Sequence, residues 1–269
     1  MIDPLARAAG PDLHGVLLQV AYDGTAFQGW ATQKEGRTVE DTLRGAIAAF
    51  DPRASAPRGT SRTDSGVHAE AQMAAFDASR AIPSRGWVLA LNQHLPDDVA
   101  VRAARPVEPG FNPRFHARGK RYRYRLVLDR VRDPRLRTQA WRIGWPMDLE
   151  RLEREAQAIV GEHDFGGFRS AQDPRQATVR TMTRVAVEPL EGRVVSIVIE
   201  GNAFLYNMVR ILVGTLVDVA RGHLAEGTIK KTIASKDRRM AGTTAPAHGL
   251  TLEHVDLALP EGTGAAWPP

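Results

Sequence analysis

One carboxylate in this chain has a setting that suits chemistry. Residues 59–76 read GTSRTDSGVHAEAQMAAF, so that Asp64 follows Arg62 by two residues and precedes the turn dipeptide Ser65-Gly66. A carboxylate on a tight turn at the mouth of a sheet is exposed enough to react and fixed enough to be aimed. Asp64 is therefore a candidate catalytic group, and the alternative is an ordinary turn aspartate.

The order Asp-Ser-Gly is also that of aspartic proteases, which need a second carboxylate from a twin copy of the motif. This sequence contains one copy, after an arginine-rich rather than an apolar stretch, so an aspartic hydrolase is a secondary alternative. The sequence also lacks a phosphate-binding loop, a dinucleotide fingerprint, a zinc-binding His pair and a Gly-x-Ser-x-Gly elbow. We therefore expect no nucleotide cofactor and no metal.

A tyrosine is the second candidate, within the strand-like run KRYRYRLVL. Strand alternation places Tyr122 and Tyr124 on one face. The other face carries Arg121, Arg123 and Arg125. We expect the arginine face to be hydrated or bound to anions, and the tyrosine face to line a core or a cleft. Core packing is the ordinary role of such a tyrosine.

An arginine inside an apolar helix is the third candidate. Arg210 interrupts the segment FLYNMVRILVGTLVDVA, which is apolar on most sides and predicts a buried helix. A guanidinium buried there is costly unless a carboxylate pairs with it. The alternative is that the side chain extends along the helix to water.

Composition indicates a globular protein without disulfides. The chain has 269 residues, 43% of them apolar and 25% charged, and no cysteine, which fits a reducing cytosol. The first residues lack the apolar core of a signal peptide, and the longest apolar stretch, 203–220, contains two charged residues. We expect a cytoplasmic protein.

Positive charge is concentrated in one segment. Residues 102–142 contain 13 Lys/Arg and 3 Asp/Glu, a local net charge of +10 within a chain whose net charge is +5. Aromatic residues lie among these basic residues: Phe111, Phe115, Tyr122, Tyr124 and Trp141. Arginine with aromatic side chains grips phosphates and stacks on bases, so the segment favours a nucleic-acid partner. A hydrated basic surface is the alternative.

Hydrophobic periodicity predicts the element order β-α-β-β-α-β twice. The first set is strand 16–22, helix 39–50, strands 58–61 and 72–77, helix 83–94 and strand 99–104. The second set is strand 121–128, helix 148–160, strands 183–189 and 194–201, helices 203–221 and 227–236, and strand 250–257. This repeated order suggests an α+β fold of two ferredoxin-like halves.

The predicted domain limits follow from these elements. They are an N-terminal extension at 1–14, an N-terminal half carrying the Asp64 loop at 15–112, a C-terminal half at 113–259 and a flexible tail at 260–269. The connection 164–180 is long for a compact domain, and such loops are often functional.

Five segments, in order, resemble the TruA family of tRNA pseudouridine synthases, over roughly residues 15–257. They are YDGTAFQGWATQ (22–33), SRTDSGVHA (61–69), FNPRFHARGKRYRYRL (111–126), NAFLYNMVRILVGTL (202–216) and APAHGLTL (245–252). The departures from the family pattern are small. Ala31 replaces a glutamine, Ser61 replaces a glycine and Ser65 replaces an alanine.

The resemblance implies the fold, the reaction and the partners. The fold would be that of pseudouridine synthases, with a central antiparallel sheet and an active-site cleft between the halves. The reaction would isomerise uridine to pseudouridine at positions thirty-eight to forty of the tRNA anticodon stem-loop. The family uses no cofactor and acts as a homodimer, with tRNA bound across both subunits.

The resemblance also assigns roles to residues. Asp64 would be the catalytic aspartate, Tyr122 would stack on the target base, Arg210 would pair with Asp64, Arg62 would displace the base, and Leu250 would pack against the uracil. A non-catalytic RNA-binding protein with RRM-like domains is the alternative function. Its aromatic signature is not supplied by residues 118–122, RGKRY.

Overall fold

A computed structural model describes residues 13–259 of the protein. Residues 1–12 of the predicted extension, and the predicted tail at 260–269, lie outside the described residues. The chain has a mixed α+β fold and forms two compact units. The first runs to Ala117 and resumes at His254, and the second is Arg118–Glu253.

The first unit has the predicted element order β-α-β-β-α-β. Its elements are β1 (His14–Tyr22), α1 (Val39–Phe50), β2 (Arg58–Gly59), β3 (His68–Ala78), α2 (Ser84–His94), β4 (Val99–Val107) and the short helix α3 (Pro113–His116). Strand β1 pairs antiparallel with both β3 and β4, and β2 pairs antiparallel with β3.

Helix α1 shows why these residues form these elements. Thr38 caps the helix by accepting a hydrogen bond from the Asp41 amide at 3.2 Å, and Asp41 lies in the first turn, where a negative charge is stabilising. The apolar residues Val39, Leu43 and Ile47 recur every four positions and are buried. Cap and apolar stripe both agree with the predicted limits.

The strands around the Asp64 loop have different limits from those predicted. Strand β3 begins at His68 rather than at residue 72, because its residues pair with β1 from Ala69 onward and are buried on both faces. Strand β2 ends at Gly59 rather than at residue 61. Ser61 leaves the strand because its main chain binds the side chain of Gln72 instead.

The second unit contains a four-stranded antiparallel ladder and three helices. Its elements are β5 (Ala117–Leu128), β6 (Trp141–Ile143), α4 (Leu149–Gln157), β7 (Gly161–Asp164), β8 (Val179–Pro189), β9 (Val194–Gly201), α5 (Met208–Ala220) and α6 (Thr228–Ser235). The ladder runs β5-β9-β8-β7, and β6 adds to β5 in parallel. Strand β10 (Leu250–Leu257) passes from the second unit into the first.

Helix α5 begins at Met208, five residues later than predicted. Asn207, which precedes it, has a left-handed backbone with φ 60°. The long connection after β7 holds the preceding residues out of the helix, because Asp173 accepts a hydrogen bond from the Tyr206 amide at 2.8 Å. Within the helix every residue except Arg210 is buried. None of the helices in the described range is long and apolar enough to cross a membrane.

Candidate active site

The Asp64 loop lies between β2 and β3 and is attached to the segment that follows β1. The Trp30 amide donates to the Thr63 carbonyl at 3.1 Å, and the Gly66 amide donates to the Phe27 carbonyl at 3.2 Å. The Val67 amide donates to the Asp64 carbonyl at 3.1 Å and closes the turn. The two sequence motifs of the first unit, 22–33 and 61–69, therefore fold as one structure.

Two glycines make this attachment possible. Gly29 has φ +93°, and a Cβ there would lie 2.5 Å from the Thr63 carbonyl oxygen. A Cβ on Gly24 would lie 2.0 Å from the Val67 carbonyl oxygen. Any side chain at either position would push the loop away, because neither backbone contact can yield cheaply.

Side chains of the first motif also reach the loop. The Tyr22 hydroxyl lies 2.8 Å from the Thr63 hydroxyl, in the core. The Gly24 amide donates to Nδ1 of His68 at 3.1 Å, and an Asp23 carboxylate oxygen lies 3.2 Å from the same nitrogen. These two contacts exclude each other, because a neutral Nδ1 accepts from Gly24 and a protonated one donates to Asp23.

Asp23 is ionised in this arrangement. Burial would raise the pKa of the Asp23 carboxyl, but hydrogen bonds from the Thr25 hydroxyl and amide, together with the nearby His68, hold the pKa below its usual value. Asp23 also caps the turn that begins at Gly24. Its charge therefore fixes the start of the segment that supports the Asp64 loop.

The two serines among the three departures from the family pattern differ in whether their hydroxyls have a hydrogen-bond partner. The Ser65 hydroxyl donates to the Phe27 carbonyl at 3.2 Å. The Ser61 hydroxyl is buried and has no hydrogen-bond partner among residues 13–259. Within the loop, Asp64 is half-buried, whereas Arg62 is exposed and has no side-chain partner in the described part of the chain.

Tyr122, Arg210 and Leu250 all belong to the second unit. Tyr122 lies on β5 and is buried, and its ring meets the ring of Phe204 edge-on with centroids 5.0 Å apart. Phe204 is held by its carbonyl, which accepts from Arg175 at 2.9 Å. Sequence reasoning did not single out Phe204, although it lies in the NAFLYN motif.

Arg210 binds the segment that leads into β10. Its Nε donates to the Ala245 carbonyl at 2.8 Å, its guanidinium donates to the Asn207 side chain at 2.8 Å, and its carbonyl accepts from the Ala245 amide at 3.0 Å. Leu250 ends this segment and is buried. Arg210 and residues 245–250 thus form one local structure.

Tyr124, on the same face of β5 as Tyr122, supports this segment. Its hydroxyl donates to the Pro246 carbonyl at 2.7 Å, and a Cβ on Gly249 would lie 2.6 Å from its ring. Burial raises the pKa of Tyr124 well above its usual value, and the charge of Arg210 opposes that rise only in part. Tyr124 is therefore a neutral hydrogen-bond donor near neutral pH.

The arginine face of β5 was expected to be hydrated or to bind anions, and two of its three residues bind anionic carboxylates of the protein itself. Arg123 forms ion pairs with Glu253 at 2.7 Å and Glu188 at 2.8 Å, and Arg121 pairs with Glu200 at 2.9 Å. Carboxylates from the neighbouring strands neutralise this face. It offers little positive charge to an external polyanion.

No group of three or more His, Asp or Glu side chains placed to hold a metal ion occurs within residues 13–259. The first unit supplies a carboxylate on a braced loop. The second supplies a buried tyrosine and an arginine bound to one main-chain carbonyl and one asparagine side chain. These are groups for electrostatic and covalent chemistry on an organic substrate.

Comparison with known proteins identifies the class of enzyme. The family model described as tRNA pseudouridine synthase matches residues 18–116 and 156–257. The chain belongs to this family and is, with it, an isomerase.

Individual relatives agree with the family match. Proteins named tRNA pseudouridine synthase A are similar to this chain: that of Myxococcus xanthus is 41% identical over 88% of this chain and 90% of its own length. That of Acetivibrio thermocellus is 40% identical over 90% and 99%, and that of Shouchella clausii is 42% identical over 90% and 93%.

Proposed function

We propose that this protein converts uridine to pseudouridine in the anticodon stem-loop of tRNA, at positions thirty-eight, thirty-nine or forty. The names of the relatives support tRNA as the substrate. The observation that carries the proposal is the Asp64 loop, braced by Gly29 and Trp30 within the first stretch that the family model matches. Such bracing fixes a carboxylate at one position for one task.

The reaction exchanges one glycosidic bond for another. The N1–C1′ bond of the uridine breaks, the uracil turns, and a C5–C1′ bond forms, while C5 loses a proton and N1 gains one. Atoms and electrons balance without an oxidant or a phosphate donor, so the proposal includes no cofactor. In this scheme Asp64 is the nucleophile, and Arg210 pairs with it and keeps it ionised.

The other site residues act on the base. Tyr122 stacks on the uracil and Leu250 packs against it, so that the freed base stays in place while it turns. A base in a stem must first leave the helix, at a cost of a few kcal/mol. Arg62 fills the gap that the base leaves, a role to which its exposed side chain is suited.

The proposal extends to fold and assembly. The two units are ferredoxin-like halves, which the strand order β4-β1-β3-β2 of the first unit supports, and residues of both halves act on one uridine. The protein acts in the cytoplasm as a homodimer, with tRNA bound across both subunits. Mass photometry with and without tRNA measures the number of chains in each particle. Particles of one chain that bind and turn over tRNA would contradict the homodimer.

A tritium-release assay tests the reaction directly. An unmodified tRNA transcript carrying [5-³H]uridine releases tritium from C5 only when pseudouridine forms, and chemical mapping then locates the product. We expect wild type to react at positions thirty-eight to forty and Asp64→Asn to lose at least a thousandfold in rate, because the amide keeps the shape but not the charge.

Asp97→Asn is the matched control, since Asp97 is an exposed aspartate of the same unit without a resolved partner, and it should react like wild type. Undiminished tritium release by Asp64→Asn would refute the assigned nucleophile. Tight tRNA binding by wild type with no tritium release at all would favour the non-catalytic RNA-binding alternative.

A further inference from the structure

A second surface of the second unit has the chemistry of an RNA contact. An open depression of about 260 Å³ lies between the end of β5 and the stretch that follows β6, lined by residues 128–130 and 143–147. It contains one large aromatic side chain, Trp145, and one arginine, Arg130. None of the five family motifs quoted above includes these residues.

Trp145 is unusually exposed for its size. The residue is 60% exposed, and the Arg221 guanidinium lies over its ring at 4.3 Å from the centroid. This cation–π contact covers one face and orients the ring. Most of the remaining surface is accessible, so the opposite face can take another flat ring.

The loop beside the depression carries uncompensated positive charge. Residues 129–142 contain five arginines and two aspartates. Both aspartates are already paired, Asp129 with Arg193 at 2.7 Å and Asp133 with Arg135 at 2.7 Å. Asp148, which directly follows the residues that line the depression, caps helix α4.

Three of these arginines keep their charge available. Arg130, Arg132 and Arg137 are exposed, and their side chains make no hydrogen bond or ion pair within the described residues. A fourth, Arg142, donates to the main-chain carbonyl of Arg130 at 3.0 Å and so links the two ends of this loop. Unlike the arginine face of β5, this loop can therefore attract a polyanion.

We propose that one surface, formed by Trp145, Arg130, Arg132 and Arg137 and called the Trp145 surface, binds an unpaired nucleotide of the tRNA outside the anticodon stem-loop. The base stacks on the open face of Trp145, and the arginines contact the phosphates that flank it. Stacking on an aromatic ring beside basic side chains is the common way to hold single-stranded RNA. The inference rests on the proposed function for the identity of the RNA.

A second copy of this chain fits the surface less well. A twofold interface would bring the same patch against itself. The three unpaired arginines would then face three others, and like charges brought together are costly. An RNA backbone supplies the opposite charge.

Two variants test the Trp145 surface through equilibrium binding. We expect Trp145→Ala to weaken the binding of a full-length tRNA transcript about tenfold, without changing the salt dependence of Kd. The double variant Arg130→Ala/Arg132→Ala should weaken it as well, and should lower the slope of log Kd against log[KCl] by between one and two. Lys230→Ala/Lys231→Ala removes the same charge from the exposed face of α6 in the same unit and should leave the slope near that of wild type.

The isolated anticodon stem-loop separates this site from the active site. Its Kd, and the rate of tritium release at saturating RNA, should be the same for wild type and Trp145→Ala. Unchanged binding of full-length tRNA by both variants would overturn the inference and leave the proposed function intact. Weaker tRNA binding by both variants, with no tritium release by wild type, would support the surface and refute the proposed function.

A change of oligomeric state gives the remaining outcome. If Trp145→Ala shifts the sedimentation coefficient and weakens both RNAs equally, the surface is a contact between protein copies and the inference is wrong. Because Trp145 and the three arginines are exposed, the variants should keep the thermal unfolding midpoint of wild type, and this is measured first.

Discussion

At the residue scale, two serines near Asp64 differ in whether the hydroxyl has a hydrogen-bond partner. Ser65 donates to the Phe27 carbonyl, so its hydroxyl ties the loop to the supporting segment. Ser61 is buried and its hydroxyl has no partner in the described structure. A buried hydroxyl without a partner costs about 1–3 kcal/mol, whereas a satisfied hydrogen bond contributes about 1 kcal/mol.

The two alanine variants should therefore change stability in opposite directions. Ser61→Ala should raise the free energy of unfolding by about 1 kcal/mol, and Ser65→Ala should lower it by about 0.5 kcal/mol, since Ser65 is exposed. Urea denaturation followed by circular dichroism measures both. A loss of stability in Ser61→Ala would show that the hydroxyl binds a group of its own, and the explanation would fail.

At the scale of elements, the sequence predicted regular segments well and their ends less well. The limits of α1, β9 and β10 agree with the predicted ranges, because cap, periodicity and turn signals coincide there. The start of α5 was predicted five residues early, because a distant carboxylate, Asp173, holds Tyr206 outside the helix. Strands β6 and β7 were not predicted, because three or four residues are too few to show a period.

The candidate site, likewise, could be predicted from the sequence only in part. Asp64, Tyr122 and Arg210 could be chosen from the sequence because each has a residue type that is unusual for its surroundings. The support of the Asp64 loop by Gly29 could not, because it depends on a backbone approach between segments more than thirty residues apart. A glycine indicates a close approach of two backbone segments only when its φ angle and its spatial neighbours are known.

That support can be tested with two glycines of the first unit. Gly29→Ala should destabilise the protein by several kcal/mol and abolish pseudouridine formation, because the residue has φ +93° and its Cβ would lie 2.5 Å from the Thr63 carbonyl oxygen. Gly45→Ala is the control. Gly45 lies within α1 with no atom near its Cβ position, so alanine should stabilise the helix by about 0.5–1 kcal/mol.

Denaturation curves and the tritium-release assay provide the two readouts. If Gly29→Ala keeps both stability and activity, the close approach of residue 29 to the loop does not govern the position of Asp64. If only activity is lost, Gly29 sets the geometry of the loop at no measurable cost in global stability.

At the scale of the whole molecule, the charge pattern of the sequence gives an incomplete picture of where RNA can bind. The segment 102–142 has a net charge of +10, but Arg121 and Arg123 are engaged by carboxylates that lie far away in sequence. Only a structure separates arginines that bind carboxylates within the protein from arginines that remain available. The effective positive surface is therefore smaller than the sequence indicates, and it includes the exposed loop after β5.

Arg123 should consequently support folding rather than RNA binding. Its side chain is 16% exposed and contacts Glu188 and Glu253. Arg123→Gln would leave Glu253 without this cation and Glu188 with Arg184 as its remaining cation, at 2.8 Å. We expect a loss of about 2 kcal/mol in the free energy of unfolding at pH 7, less than for a fully buried pair because of solvent screening. The Kd for tRNA should change less than twofold.

The pH dependence of that loss follows from the direction of one pKa shift. Hydrogen bonds from Arg123 outweigh burial and lower the pKa of Glu188 below its ordinary value. A carboxylate with a depressed pKa stabilises the fold above its unfolded pKa, and this stabilisation disappears as the pH falls through the folded pKa. The difference in free energy of unfolding between wild type and Arg123→Gln should thus be largest at pH 7 and should shrink toward pH 3.

Arg118→Gln removes an equal charge from an exposed arginine without a resolved partner and should unfold like wild type at both pH values. If Arg123→Gln instead weakens tRNA binding tenfold and leaves unfolding unchanged, the arginine face of β5 binds RNA, and its ion pairs give way to phosphates in the complex.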